Sequence, residues 1–493
     1  HHVVARYDGN NMELYVDGTL LASQACSGNI VNAPYQVILG KSAELRDSHL
    51  GYLCNATLDR VRIFDSVIPV EQLASNEKSL KSSSRLWLDF ESAEEEGSYY
   101  SIGIPGRTYG LVWPDRSIQP ELWQMKKSPQ PVKFEATRLE EGRIRITNRH
   151  HFRNLETLDF NWELTTNGEV QQNGSFKLNL GPGEAEEVHI PFTREDIPGS
   201  VDHLLISGST TEDQPWAQKG HEVAWEQFEV PTQTTAYQAE AVYPNFLLSE
   251  DEGSVTVEGE GFVYTFQKQE GILSSMLLHG KELLKRGPRL NVWRAPLAND
   301  LDSWNFRRSE MGHVTEGMGK ETANGWRSIG LDQLEQVVDH FDCTADVQAI
   351  RVHVEASLIA RNYTTGFKVF YDYTIYGNGK MKIHTRVSAR GNMTKWIPKV
   401  GLQMELPGEY QQMEWFGRGP FETYPDRFTG AKTGIYKTTV EEAYVPYIIP
   451  QDYGNRRHVH WFSLTDQDGT GLHITAPQSF HISAQKYSTE NLD

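Results

Sequence analysis

Short runs of alternating apolar and polar residues, punctuated by turn dipeptides, fill this chain almost from end to end, and that pattern confines it to β-structure. Met12-Glu13-Leu14-Tyr15-Val16 alternates, Asp17-Gly18 follows, and Thr19-Leu20-Leu21-Ala22 resumes the run. An Asp-Gly pair between two such runs is a strong hairpin signal, because both turn residues must take positive φ. Similar runs recur at residues 143–146, 204–206, 254–257, 350–354 and 380–383. Helical periodicity is weak, and the best case is the single turn Val70-Glu71-Gln72-Leu73 after Pro69. The fold class read from this is all-β, a set of β-sandwiches.

The chain has 493 residues, which at roughly 150 per domain suggests about three domains. Polar or stiff stretches at 81–84, 94–98, 128–131 and 231–235 divide it into 1–92, a bridging segment 93–128, a domain 129–231 and a last region 237–493. No fixed-period repeat or low-complexity tract is present.

The formal charge of −19 argues against nucleic acid and anionic membrane as partners, since both need a basic patch. No apolar run is long enough to span a bilayer. A neutral substrate such as a sugar fits. Cys26 and Cys54 can pair within one domain, but with Cys343 they form an odd, sparse set and no disulfide framework. The chain opens on His1-His2-Val3-Val4 with no signal-peptide pattern, and closes on Asn491-Leu492-Asp493 after a strand-like run. It is therefore expected to be a piece of a longer protein, cut inside its first and last domains.

His1-His2-Val3-Val4-Ala5-Arg6-Tyr7-Asp8-Gly9, then Leu14 to Gly18, Ile38-Leu39-Gly40-Lys41 and Leu58-Asp59-Arg60-Val61-Arg62-Ile63-Phe64-Asp65 stand in an order that resembles the laminin-G-like, concanavalin-type jelly roll. Such modules bind sugar or calcium in some proteins and act as spacers in others. Asp8, Asp17 and Asp59 read as turn residues, since Asp stabilises turns through its own side chain.

Tyr109-Gly110-Leu111-Val112-Trp113-Pro114-Asp115-Arg116, followed by Gln119-Pro120-Glu121-Leu122-Trp123-Gln124-Met125-Lys126-Lys127, resembles the closing edge of the catalytic (β/α)₈ barrel in β-galactosidases of glycoside hydrolase family 2. Pro129 and Pro131 end the short helix that the resemblance implies. The resemblance also implies magnesium and sodium in the barrel and no metal in this chain. At the places matching the family's sodium ligands this sequence has Tyr109 and Gly106, which cannot repeat the side-chain role. Asp115 and Arg116 read as a salt bridge that closes the barrel or docks the next domain, with a substrate contact as the alternative.

Residues 129–231 look like the family's immunoglobulin-like spacer, with strand-like runs at 134–136, 143–148 and 160–164 and turns expected at Asn173-Gly174-Ser175 and Gly181-Pro182-Gly183. Residues 237–493 resemble the large sandwich of the β-galactosidase small chain. Three motifs carry this: Asn291-Val292-Trp293-Arg294-Ala295-Pro296-Leu297-Ala298-Asn299-Asp300, Phe416-Gly417-Arg418-Gly419-Pro420-Phe421-Glu422-Thr423-Tyr424-Pro425-Asp426-Arg427, and Pro446-Tyr447-Ile448-Ile449-Pro450-Gln451-Asp452-Tyr453-Gly454-Asn455-Arg456. Ala298 and Asp452 depart from the family, which usually has an acid and Glu there.

Within these motifs Arg294, Asn299 and Asp300 are read as structural. Gly417, Gly419 and Pro420 are expected to make a rigid turn, with Glu422 or Asp426 pairing with Arg418 and Arg427 adding a charge. Tyr424-Pro425 is a stacking platform for a sugar or for the barrel. Domain packing is favoured there, as for Asn455 and Arg456. The resemblance brings the loop Leu301-Asp302-Ser303-Trp304-Asn305-Phe306 toward the active site, which makes Asp302, Ser303, Trp304 and Asn305 candidates for a substrate-side lid. An ordinary surface loop is the alternative.

A retaining glycosidase needs two carboxyl groups about 5–5.5 Å apart. The resemblance places both, as Glu, on barrel strands upstream of His1, so no catalytic residue is assigned here. Glu94-Glu95-Glu96 and Glu184, Glu186 and Glu187 are read as solvated acidic loops. The implied function is that of the C-terminal supporting part of a retaining β-galactosidase hydrolysing terminal non-reducing β-D-galactosides. Its implied partners are the sugar, the barrel segment and, as one option, further copies of the chain. The alternatives are a non-catalytic carbohydrate-binding or adhesion protein and a family 2 glycosidase of different galactoside specificity. The jelly roll points toward a periplasmic or secreted bacterial protein.

Overall fold

The computed structural model describes residues 1–28, 60–73, 78–88, 110–113, 116–195, 197–232, 246–297, 300, 322–447 and 450–492. The chain separates into two compact units, His1–Gly103 and Ile104–Asp493.

In the first unit, strands Val3–Tyr7, Asn11–Val16 and Thr19–Ala25 form an antiparallel sheet. Asp17 and Gly18 take φ of 50° and 78° and join Val16 to Thr19, the hairpin that the Asp-Gly pair predicts. Asp17 also accepts the His2 amide at 2.8 Å, and Asp8 accepts the Asn10 and Asn11 amides at 2.8 and 2.7 Å, so both carboxylates serve turns. Val61–Phe64 pairs antiparallel with Ser84–Leu88, and the expected single helical turn is Val70–Leu73. Cys26 is exposed. Asp59, Cys54 and the acidic stretch 94–96 lie outside the described residues.

The second unit begins with a bridge between Val112 and Ile118 and the helix Pro120–Lys127. Pro120 opens that helix, where its missing N–H costs nothing, and Lys126 and Lys127 close it, where cations suit the helix dipole. No barrel strand is seen among the described residues.

The immunoglobulin-like sandwich then packs the sheet Ala185–His189, Arg143–Asn148, Val132–Arg138 against the sheet Glu222–Val230, Asp202–Thr210, Leu158–Thr166, Glu169–Phe176. Alternation decides which face is inside: Ile144, Ile146, Phe160, Leu204 and Ile206 are fully buried, while Arg143 and Arg145 point to solvent. Two expectations fail here. Asn173-Gly174-Ser175 lies inside the strand Glu169–Phe176, because Gly174 faces Trp162 so closely that a Cβ would come within 2.6 Å of the indole nitrogen. The turn falls at Asn167-Gly168 instead, with φ of 51° and 87°. Glu186 and Glu187 sit on the edge strand Ala185–His189 rather than in a loop, and Glu187 bonds Arg143 at 3.1 Å.

The last region opens with a five-stranded meander from Phe246–Glu250 to Lys281–Glu282. It shares a core with the long four-stranded sheet Leu334–Ala345, Ala349–Ala360, Gly366–Tyr376, Met381–Arg390. Val255, Phe266, Val352, Tyr371 and Tyr373 fill that core. A further sheet, Lys432–Thr439, Gln412–Gly419, Arg456–Thr465, Gly471–Ile482, is organised around Trp415, Val459 and Phe462. Gly417 and Gly419 belong to its strand Gln412–Gly419, not to a turn. Gly417 lets Val459 approach, and Gly419 lies under Tyr436. The chain turns only after Gly419, through Pro420.

Candidate functional site

The three motifs of the last region, far apart in sequence, converge on one locus next to the bridging segment. Strand Arg286–Asn291 delivers Trp293 to the core, where its ring meets Trp326 edge-on at 6.0 Å. Arg294 then turns back. Its Nη1 bonds Asp300 Oδ2 at 2.7 Å and its Nε donates to the Pro398 carbonyl at 3.2 Å. The Asp300 carboxylate also accepts the Leu297 amide at 2.8 Å. Arg294 and Asp300 thus clamp the chain around Leu297 and fix it to the Pro398 carbonyl. Asn299, Asp302, Ser303, Trp304 and Asn305 lie outside the described residues, as does Asp115.

Beside this clamp, Glu422 is 1% exposed. One carboxylate oxygen accepts from Arg427 and from the Tyr447 hydroxyl, and the other accepts the Gly454 amide at 2.6 Å. Arg427 also bonds Glu121 on the bridging helix and the Tyr447 hydroxyl at 2.8 Å. Burial pushes the Glu422 carboxyl above its ordinary range, and Arg427, the Gly454 amide and Tyr447 pull it back. Burial opposes the Arg427 cation, but Glu422, Tyr447 and Glu121 outweigh it and hold its pKa up. The net picture is a buried, hydrogen-bonded ion pair. The expected pairing of Glu422 or Asp426 with Arg418 is not made. Arg418 instead donates to the carbonyls of Phe428 and Ala431 at 3.2 and 2.7 Å, while Asp426 is exposed. Strand direction explains the exchange: Arg418 is still on the sheet, and only the chain after Pro420 faces the bridging helix.

The Tyr424 hydroxyl bonds Asp452 at 2.9 Å, and its ring carries the Arg427 guanidinium at 5.0 Å. Lys399 pairs with the same Asp452 at 3.1 Å, and the Asp452 amide reaches the Ala295 carbonyl at 3.4 Å, tying the third motif to the first. Asn455 donates to the Thr423 carbonyl at 2.7 Å. Arg456 is buried against the Trp415 ring at 5.0 Å, and burial pulls its pKa down to about 10. Trp113 leans edge-on against Tyr447 at 5.9 Å, beside Ala295, Tyr453 and Leu492. Arg116 is exposed, with φ of 72°, and its amide closes a turn onto the Trp113 carbonyl at 2.8 Å.

Sequence reading missed Glu121, Lys399, Tyr447 and Asp452 as members of this knot. Tyr447 and Asp452 stood inside a recognised motif. Glu121 and Lys399 carried no local signal, since their partners lie 306 and 53 residues away. The arrangement ties the bridging helix to all three motifs of the last region. Among the described residues, no group of three or more His, Cys, Asp or Glu is placed to hold a metal ion.

Three family models match parts of the chain. Residues 258–493 match the family model of the β-galactosidase small chain, residues 144–231 that of β-galactosidase domain 4, and residues 1–74 that of the concanavalin A-like lectin/glucanases superfamily. These matches place the chain among proteins of the β-galactosidase family. More particularly, the chain is a C-terminal β-galactosidase portion. It is 31% identical over 389 residues to the β-galactosidase of Priestia megaterium, covering 78% of this chain and 35% of that protein. The corresponding figures are 28% over 393 residues, 78% and 36%, for Psychromonas ingrahamii, and 29% over 387 residues, 78% and 35%, for Lactobacillus delbrueckii subsp. bulgaricus. The chain thus spans about a third of the length of these relatives.

Proposed function

We propose that this chain is the supporting C-terminal part of a retaining β-galactosidase acting on terminal non-reducing β-D-galactosides, and that it is inactive alone. The catalytic Glu pair, with magnesium and sodium, would belong to a barrel elsewhere in the longer protein. The observation that carries this reading is the knot itself. Glu121 and Trp113, on the segment resembling the barrel's edge, are bound to the same Arg427–Glu422–Tyr447 cluster that backs the Arg294–Asp300 clamp. The resemblance to the family, not the described structure, makes Asp302, Ser303, Trp304 and Asn305 candidates for a substrate-side lid. The β-galactosidase names of the relatives supply the substrate class. The purified chain should not turn over a chromogenic β-galactoside, and the longer protein should. Turnover by the chain alone, or none by the longer protein on any β-galactoside, ends the proposal.

A further inference from the structure

The loop after strand Arg143–Asn148 is unlike the rest of this acidic molecule. From Arg149 to Leu155 there are two Arg, two His and no carboxylate, and the strand before it adds Arg143 and Arg145, in a chain of net charge −19. Arg143 bonds Glu187, but Arg149 and Arg153 are exposed and make no side-chain ion pair among the described residues. Between them Phe152 is 95% exposed, the most solvent-open large apolar side chain described.

The loop is nonetheless firmly built. Asn148, fully buried, donates to the carbonyls of Arg153 and Leu180 at 2.8 and 2.9 Å and accepts the His150 amide at 2.9 Å. The Arg149 amide is bound to the Pro131 carbonyl at 2.8 Å. A cavity of about 500 Å³ opens beside it, walled by Pro129, Pro131, Arg149, His151, Phe152 and Arg153. That volume lies within the roughly 300–1,000 Å³ of small-ligand sites.

A rigid loop that holds an aromatic face in water, between two free guanidiniums, suits a ligand with a flat apolar face and an anionic group. Guanidinium forks match carboxylate and sulfate geometry, and aromatic rings stack on apolar faces. We propose that this loop and cavity bind an acidic saccharide, a sugar chain bearing carboxylate or sulfate groups. The choice of a saccharide rests on the glycosidase reading above. The site itself lies on the immunoglobulin-like sandwich and needs no hydrolysis to be seen.

The test is calorimetric titration of the purified protein with three probes of equal length: a sulfated galactan oligosaccharide, an oligogalacturonate and a neutral galactan. Binding of either charged probe, weakened by salt and absent for the neutral one, is expected, and the two arms tell sulfate from carboxylate. Arg149→Ala with Arg153→Ala should weaken binding roughly tenfold or more, and Phe152→Ala about fivefold, with Phe152→Tyr close to the original. All these side chains are exposed, so thermal melting should not move. The proposal is overturned if neither charged probe binds, if the neutral one binds equally, or if the double variant keeps full affinity. It is also overturned if the variants instead abolish self-association of the chain. None of these failures bears on whether the longer protein hydrolyses β-galactosides.

Discussion

At the bridging helix, Arg427 is surrounded by Glu121, Glu422 and the Tyr447 hydroxyl, so a buried cation meets its acceptors at once. Where the immunoglobulin-like sandwich meets the strand Gln412–Gly419, the arrangement is reversed. His203 is 6% exposed, its Nδ1 has no partner, and it lies within the field of His460 and Arg418. The first contact buries charge by pairing it. The second buries basic groups by keeping them neutral, and burial pulls His203 and His458 down to about 4. Both solutions satisfy the rule that an unpaired buried charge is too costly to keep. They fail differently, the one when a side chain is removed and the other when protons are added.

Removing a partner from the first contact should have the largest effect. Arg427→Met would leave Glu422 buried without its cation, which costs about 3–5 kcal/mol when such a pair is broken from one side. The midpoint of urea unfolding should fall accordingly. Arg427→Met with Glu422→Gln should recover part of the loss, because it removes the stranded charge. A single variant that unfolds at the original urea concentration would show that the pair does not hold this contact.

Acid should break the second contact. Above pH ~6.5 the imidazole of His203 is neutral both folded and unfolded, and it costs nothing. As pH falls below that, the unfolded chain takes up a proton that the folded chain refuses until about pH 4. Stability is therefore present above pH ~6.5 and is progressively lost down to about 4, by on the order of 3 kcal/mol for His203. Burial comes first among the causes, followed by His460 and Arg418. For His458 it is burial, then Arg418 and Arg457, with His481 and His460 beyond. Glu229 opposes the effect at His460, and Glu226 favours the Arg418 cation. His203→Phe should flatten the pH dependence of unfolding in this window. An unchanged slope in the variant would place the acid sensitivity elsewhere.

These two contacts also mark what a sequence can and cannot disclose. The hairpin at Asp17-Gly18 was legible because the two residues that make the turn are neighbours and both need positive φ. Asn173-Gly174-Ser175 carries the same local signal and is a strand, since Gly174 is demanded by Trp162 on the adjacent strand rather than by a turn. The motifs of the last region were legible as motifs. Their internal pairing was not: Arg418 and Glu422 are close in sequence but face different neighbours, and the acid that completes the Arg427 cluster comes from the bridging helix. Nothing in a local pattern of charges encodes which of two arginines will face a helix 306 residues away.

The smallest effect is expected at the rim of the first contact. Trp123, on the bridging helix, stacks on Phe421 with centroids 5.6 Å apart and planes 7° from parallel, yet 39% of it remains exposed. A stacked aromatic pair contributes about 0.5–1.5 kcal/mol beyond its burial. The helix is pinned independently by Gln124, whose side chain donates to Thr429 at 2.8 Å and accepts the Gly430 amide at 2.9 Å. Trp123→Ala should therefore cost about 1–2 kcal/mol in urea unfolding, well below Arg427→Met. Should the two variants prove equally damaging, stacking rather than paired charge would be what fastens the helix, and the contrast between the two contacts would reduce to one of apolar area.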